Sequence, residues 1–463
     1  MRKNLLISKI TSVILAAMLA FAYTAAAVYA DEPSGSGTPE EPYIVKTAEE
    51  LLALGEMEEV GYVRLDADID MSGVTGKSCI IQKLTGEFDG NGYTISNLEL
   101  KSTPGTYTTT NNTGFISELS GTVKKLRLSN VTVKEGIGRN NNIGLLASVI
   151  TTGESAVIDN CIAEGEIINS SKDSYINLGA FVGQMSGTIS DITTLTVKNS
   201  ITNVNITKGT YSTGNESSFI GGIVGIAKSY STINVDKCAV FGEMSGSSYN
   251  NGGVGGILGA FWLGSGAELN LSDSYLGGKI SGSRARGIGW NKTALTSASC
   301  SNYYYDKDKS KPSYGSLEML GAGEDALKDE NGNTGYTGLT TEDMKKLTID
   351  GFENSDDFDG YPVPVWTAAP EPVPDYTFSV KFDADNNALV SVPVKGNYYI
   401  IFTAYDDENG LISLSAEKKD FKVGENQKVT PSDEFNPAGA AKIRAMLWNS
   451  PVDLCPLTEA AEK

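Results

Sequence analysis

Gly221-Gly222-Ile223-Val224-Gly225-Ile226 decides the fold, because the block recurs along the chain. GGILGA begins at Gly255, GAFVGQ at Gly179, GLLASV at Gly144 and GFISEL at Gly114. A degraded copy starts at Gly287 and runs through ASCSNYYYD, ending at Asp306. A second block follows each first one: VKKLRLSNVTV, VIDNCIAEGEI, TVKNSITNVNI, NVDKCAVFGEM and LNLSDSYLGGKI. The copies recur at roughly thirty to forty residues, the range of solenoid repeats. Length variation falls mostly in inserts rich in Gly, Ser, Asn and Tyr.

The blocks are short, β-branched and alternating, as strands are, and turn residues separate them. One unit cannot bury its apolar face alone, whereas stacked units can. Each unit has the length of one three-strand coil plus a loop. The expectation for residues 31–366 is an all-β, right-handed parallel β-helix with coils about 4.8 Å apart. Open coil ends need covers. Thr47 to Leu54 has the pattern of a short capping helix, with Thr47 as N-cap and Glu50 three residues on. Thr340 to Leu347 has the same pattern near the other end.

Cys161, Ser200, Cys238, Ser274 and Cys300 take equivalent places in successive copies. Cysteines two coils apart would be about 9.6 Å from one another by strand spacing, too far for a disulfide. They are expected to fill the core as small apolar side chains.

The unit with its GGIVG or GGILG core resembles the GLUG repeat of bacterial surface proteins. FDGNGYTISNLEL (Phe88–Leu100) and PYIVKTAEELLAL (Pro42–Leu54) resemble the entry into such repeats. GLTTEDMKKLTI with GYPVPVW, ending at Trp366, resembles their close. The resemblance spans Gly37 to Trp366 and carries no catalytic residues. It implies a cell-surface or secreted protein, often an adhesin or accessory module. The copy at Gly114 departs from it by lacking the double glycine.

Residues 1–30 have the form of an export signal. Arg2, Lys3 and Lys9 precede an apolar run, and small residues lead to Asp31. The run is too short for a membrane span, and no membrane insertion is expected. The chain holds 37 Lys+Arg against 57 Asp+Glu, a net −20. Loss of the three leader cations would take it to −23. Such charge repels nucleic acid, whose binding needs basic patches. Histidine is absent, which removes Ser-His and Cys-His nucleophile systems and imidazole zinc sites. Any catalysis would run on carboxylates, Tyr, Lys or Arg.

Residues 367–375, TAAPEPVPD, read as a Pro-rich linker. Residues 376–463 then show alternating strands: FSVKF, YYIIFTAY, LISLS and KIRAMLW. They are expected to form a small antiparallel β-sandwich. FTAYDDENGLISLS with KIRAMLWNSPVDLCPL resembles a non-catalytic accessory module found at the ends of secreted proteins of Gram-positive bacteria.

Four inserts each carry a tyrosine among Asn, Ser and Thr: Tyr107, Tyr175, Tyr211 and Tyr249. A flat ring stacks on the apolar face of a sugar while amides and hydroxyls bond its hydroxyl groups. Tyrosine also suits protein interfaces. The alternative is that each ring folds back onto the next coil. Tyr303, Tyr304 and Tyr305 would alternate in direction on a strand and cover the solenoid's end. Asp66, Asp68 and Asp70 could share a strand face, but the EF-hand spacing fails, with Met71 and Lys77 at its sixth and twelfth positions. The turns at Asp383 and Asp406 lack its glycine. Arg284 and Arg286 form an isolated pair without an acidic cluster in sequence.

The sequence therefore points to a secreted or surface binding protein with no catalytic set, cofactor or metal. Its loops would meet an extracellular glycan or a host or cell-surface protein. A carboxylate-based polysaccharide lyase or hydrolase on the same fold is the alternative, and a structural envelope protein is the third.

Overall fold

The structure is a computed structural model. It describes residues 32–463 apart from 104, 106–108, 170–174, 209–217, 247–251, 262–265, 283–284, 292–294, 311–317, 321–326, 328–332, 369–377, 393–395, 423, 449–456 and 459. The chain divides into two compact units, Met1–Ala369 and Pro370–Lys463.

The first unit is a parallel β-solenoid. Its coil strands pair in parallel throughout, from Tyr43–Val45 with Val60–Leu65 to Leu295–Asp306 with Tyr336–Leu339, whereas Phe352–Ser355 and Tyr361–Pro364 form a separate antiparallel pair. Coils hold more strands than the expected three. One full turn runs through Asn141–Gly144, Ala147–Ile150, Ser155–Asp159 and Ile162–Asn169 before Ile176–Gly179 begins the next. Extra corners explain the number, since each short run of alternating residues ends at a turn. Inward residues stack in rows: Ile158 pairs with Val197, Val197 with Val235 and Val235 with Leu271. All four are buried in one continuous core.

The repeated glycines form one corner of the solenoid. Gly144, Gly179, Gly221 and Gly255 pair in register from coil to coil. A Cβ built on Gly179 would lie 1.9 Å from the Val182 carbonyl oxygen, and one on Gly221 would lie 1.8 Å from that of Val224. None of the four has positive φ, so crowding, not dihedral freedom, requires glycine here. Gly183, Gly225 and Gly259 form a second row. A Cβ on Gly225 would meet the Leu178 amide nitrogen at 2.8 Å. The two rows bring the strands on either side of the corner together, with Cα atoms within 8 Å, closer than the ~10 Å of ordinary face-to-face sheets.

A second corner uses left-handed residues. Asn160 (φ 51°), Asn199 (50°), Lys237 (50°), Asp273 (43°) and Asn302 (50°) stack there, and Asn and Asp tolerate that region best. The next residues are Cys161, Ser200, Cys238, Ser274 and Tyr303, as the pairing of Ile162, Ile201, Ala239, Tyr275 and Tyr304 shows. Cys300 does not belong to this row. It pairs with Leu271, three residues earlier than expected, because Tyr303 takes the corner position in the last copy. The Cys161 amide donates to Ser200 Oγ at 3.0 Å, and the Cys238 amide to Ser274 Oγ at 2.9 Å. Cys79, Cys161, Cys238 and Cys300 are free thiols, and Cys455 lies outside the described residues. Burial pushes the Cys161 and Cys238 thiols up to about 12.

The helix Ala48–Leu54 carries the expected capping box of Thr47 and Glu50, and it buries Leu51 and Leu54 in the solenoid core. The second helix is shorter, Thr341–Met344, capped by Thr340. It serves the flank of the solenoid. Residues 340–366 run as a strap along the outward positions Ile162, Ile201, Ala239, Phe241 and Tyr275, adding Met344, Phe358, Tyr361 and Val363 to a second apolar cluster. At the strap's far end Asn160 Nδ2 donates to the Val365 carbonyl at 2.8 Å, and the Thr367 amide donates to Asn160 Oδ1 at 3.0 Å. An outward apolar row on the solenoid thus gains a partner within the same chain.

The second unit has two antiparallel sheets. One holds Ser379–Phe382, Ala388–Val392 and Gly424–Val429, and the other Leu411–Phe421, Gly396–Tyr405, Lys442–Trp448 and Ala461–Glu462. Val390, Ile400, Phe402, Phe421 and Leu447 pack between them. No helix among the described residues is long and apolar enough to cross a membrane.

Candidate functional site

The strand that leads into each glycine corner carries a repeated Asn-x-Gly: Asn112-Thr-Gly114, Asn142-Ile-Gly144 and Asn177-Leu-Gly179. Register stacks the three asparagines. Asn142 Nδ2 donates to Asn112 Oδ1 at 3.2 Å, and Asn177 Nδ2 donates to Asn142 Oδ1 at 2.8 Å and to Gln184 Oε1 at 3.4 Å. In the next coil Phe219 takes this position. The amide ladder therefore stops where an apolar plug of Phe219, Ile226, Ala260 and Trp290 begins.

Beside the ladder lies a polar groove of about 390 Å³, within the usual ~300–1,000 Å³ of small-ligand sites. Asn112, Asn142, Gln184, Glu118, Thr151 and Ser186 line it. The Thr151 hydroxyl is buried and has no hydrogen-bond partner among the described residues. The lining offers amide donors and acceptors, hydroxyls and a carboxylate, Glu118, arranged along three successive coils. A carboxylate pair is what general acid and base chemistry on a glycoside needs, and Glu118 is the carboxylate in this lining.

Tyr175 lies at the edge of this region. It precedes Ile176, whose partner is Asn141, whose partner in turn is Asn111. Register therefore sets Tyr175 beside Asn140, and Asn140 beside the groove residue Thr110. Tyr175 is 51% exposed with φ 64°, and the Arg139 guanidinium sits 5.7 Å from its ring centroid. The ring is thus half exposed, and residues 209–217 of the next coil lie outside the described residues. Tyr107, Tyr211 and Tyr249 lie outside the described residues.

The other candidates have structural partners. Asp66 pairs with Arg64 at 3.0 Å, Asp68 accepts the Thr94 amide at 2.7 Å, and Asp70 accepts the Ser72 amide and Asn97 Nδ2. Asp66 and Asp68 fall between strands, not on one. Arg286 pairs with Glu318 at 3.0 Å, and Arg284 lies outside the described residues. Tyr303 points inward and donates to the Gly287 carbonyl at 2.7 Å, whereas Tyr304 joins the flank cluster. Asp383 closes its own turn through the amides of Asp385 and Asn387, and Asp406 does the same through those of Glu408 and Gly410.

Fold and groove together define a class, a parallel β-solenoid with a polar flank groove and a small antiparallel β unit. No family model matches the sequence, and no curated protein does. Among solved structures it is similar to a Bacteroides ovatus protein provisionally named an immunoglobulin A1 protease. The identity is 19% and the TM-score 0.49, over 72% of this chain and 95% of that one. At that level of likeness nothing about activity passes between the two.

Proposed function

We propose that the protein is an exported, non-catalytic glycan-binding protein of the adhesin type, built on GLUG-like repeats of the kind found on bacterial surfaces. The groove of Asn112, Asn142, Gln184 and Glu118 would bond sugar hydroxyls, and Tyr175 would stack on a ring at its edge. The observation that carries this reading is the buried amide ladder opening onto a polar groove. Its neighbours in the next coil switch to apolar side chains, so the polar set is local. The leader of residues 1–30, the acidic balance and the absence of histidine support an extracellular, non-enzymatic role. The small C-terminal unit would be an accessory module of the Gram-positive type.

The test is native electrophoresis of the full chain, less its leader, in gels containing different neutral polysaccharides, stained afterwards for polymer. Retardation in one gel, reduced by Tyr175→Ala and by Gln184→Ala, is the expected result. A cleared zone around the band would replace this reading with the carboxylate-enzyme one. Unchanged mobility in every gel would leave a protein partner or an envelope role.

A further inference from the structure

The strap creates a second cavity. A cleft of about 360 Å³ opens between the solenoid and residues 357–361. The solenoid supplies Asn203, Asn205, Glu243, Lys279 and Lys309, and the strap supplies Asp357, Asp359 and Tyr361. The backbone of Gly242, Gly277 and Gly278 lines it beside Phe241 and Phe358, whose rings stack at 5.0 Å.

We propose that this cleft is a binding site for a neutral saccharide, separate from the Tyr175 groove. Its donors and acceptors are interleaved. Lys279 Nζ pairs with Glu243 Oε1 at 2.6 Å, and the Glu243 amide donates to Asn205 Oδ1 at 2.9 Å. Lys309 Nζ rests 4.5 Å from the Tyr361 ring centroid and makes no ion pair among the described residues. Asp359 pairs with Lys345 at 3.0 Å. A simple anion entering here would meet three carboxylates, and a simple cation would meet two ammonium groups. A sugar hydroxyl both donates and accepts, so a polyhydroxy ring suits mixed neighbours of near-zero net charge. The volume falls within the ~300–1,000 Å³ range of small-ligand sites and admits one or two sugar rings.

The location has a consequence of its own. Asp357, Phe358, Asp359 and Tyr361 of the strap form one side of the wall, so a bound sugar bridges strap and solenoid. Binding to the docked state only must stabilise docking by mass action.

The experiment is calorimetric titration of the leader-less chain carrying Tyr175→Ala with cellotetraose, maltotetraose, xylotetraose and tetra-N-acetylchitotetraose. Gln184→Ala accompanies Tyr175→Ala throughout, so that the groove loses both its stacking ring and a lining amide and the binding that persists belongs to this cleft. At least one tetraose is expected to bind. Adding Asn205→Ala and Asp357→Ala, both at exposed positions, should weaken it about tenfold or more, the loss of one or two hydrogen bonds. The same sugar should slow proteolysis within residues 340–366. If none of the four binds the chain carrying Tyr175→Ala and Gln184→Ala, or if binding survives the two further substitutions, the assignment is wrong. Unaltered circular dichroism of the variants separates loss of a site from loss of the fold.

Discussion

The Tyr361 hydroxyl donates to Asp306 Oδ2 at 2.5 Å, joining the strap to the end of the solenoid strand Leu295–Asp306 across 55 residues of sequence. The same carboxylate accepts from Thr341 Oγ1 at 2.7 Å and from the amides of Asp308 and Lys309. Tyr361 is fully buried, between Phe241 and Tyr275. Tyr361→Phe keeps the ring and removes one charge-assisted hydrogen bond. A cost of about 2 kcal/mol to strap docking follows. Limited proteolysis should then cut within 340–366 at least several-fold faster, with the solenoid fragment persisting. Equal cutting rates would show that the apolar cluster alone holds the strap.

Acid should loosen the same seam. Burial raises the Asp306 carboxyl, but donation from Tyr361, Thr341 and the two amides outweighs it and holds the group below the ordinary carboxylate value. The folded value is the lower one, so the contribution is fully present above the unfolded value of about 3.9. It is lost as pH falls through the folded value. Strap cleavage by an acid-active protease should therefore rise as pH falls below about 4, the ordinary carboxylate value. Asp306→Asn should show rapid cleavage already at neutral pH and a flatter profile. A wild-type profile as flat as that of Asp306→Asn would remove Asp306 from the account.

The glycine corner makes a sharper demand. Gly179→Ala and Gly221→Ala would each drive a Cβ into a backbone carbonyl below 2 Å. Neither the carbonyl nor its paired neighbours can yield without moving a coil. Losses above about 3 kcal/mol, or failure to fold, are expected. Gly73 is the control, with open space around its Cα and no positive φ. Gly73→Ala should be neutral or stabilise by about 0.5 kcal/mol. Thermal unfolding of the three variants decides the matter, and a tolerated Gly221→Ala would refute the corner argument.

Much of this architecture was legible because solenoid physics repeats itself. GGIVG and GGILG mark a corner where only hydrogen fits, and five copies of such a corner fix the stacking. The Thr47–Glu50 capping box and the second unit's four main strands follow from local pattern. The strap was not legible in its role, because its partners are Ile162, Ile201 and Tyr275, outward residues far away in sequence. The sequence also placed Cys300 in the wrong row, since the last copy sets Tyr303 at the corner. The groove was only half visible. Tyr175 stood out as an aromatic in a polar insert, whereas Asn112, Asn142 and Gln184 become neighbours through coil pairing. The Asn-x-Gly in three successive copies was the available signal.

The cysteine corner predicts an exchange of residue type without loss. Cys161 Sγ lies 3.5 Å from the Val123 and Asp159 carbonyls, and Cys238 Sγ 3.3 Å from that of Asp236. In the same row Ser200 Oγ donates to the Lys198 carbonyl at 2.7 Å, and Ser274 Oγ to that of Ser272 at 2.6 Å. Serine therefore already satisfies this position in alternate coils. Cys161→Ser with Cys238→Ser should cost less than about 1.5 kcal/mol, as near-isosteric changes do. Cys161→Leu should cost more by overpacking the corner. In the native protein burial holds both thiols up at about 12, so little thiolate exists at pH 8 and access is closed. A thiol-reactive probe should leave Cys161 and Cys238 unmodified until denaturant is added, read by mass spectrometry of their peptides. Rapid labelling of either in the folded chain would mean that this corner opens, and the coil stacking described for residues 155–276 would need revision.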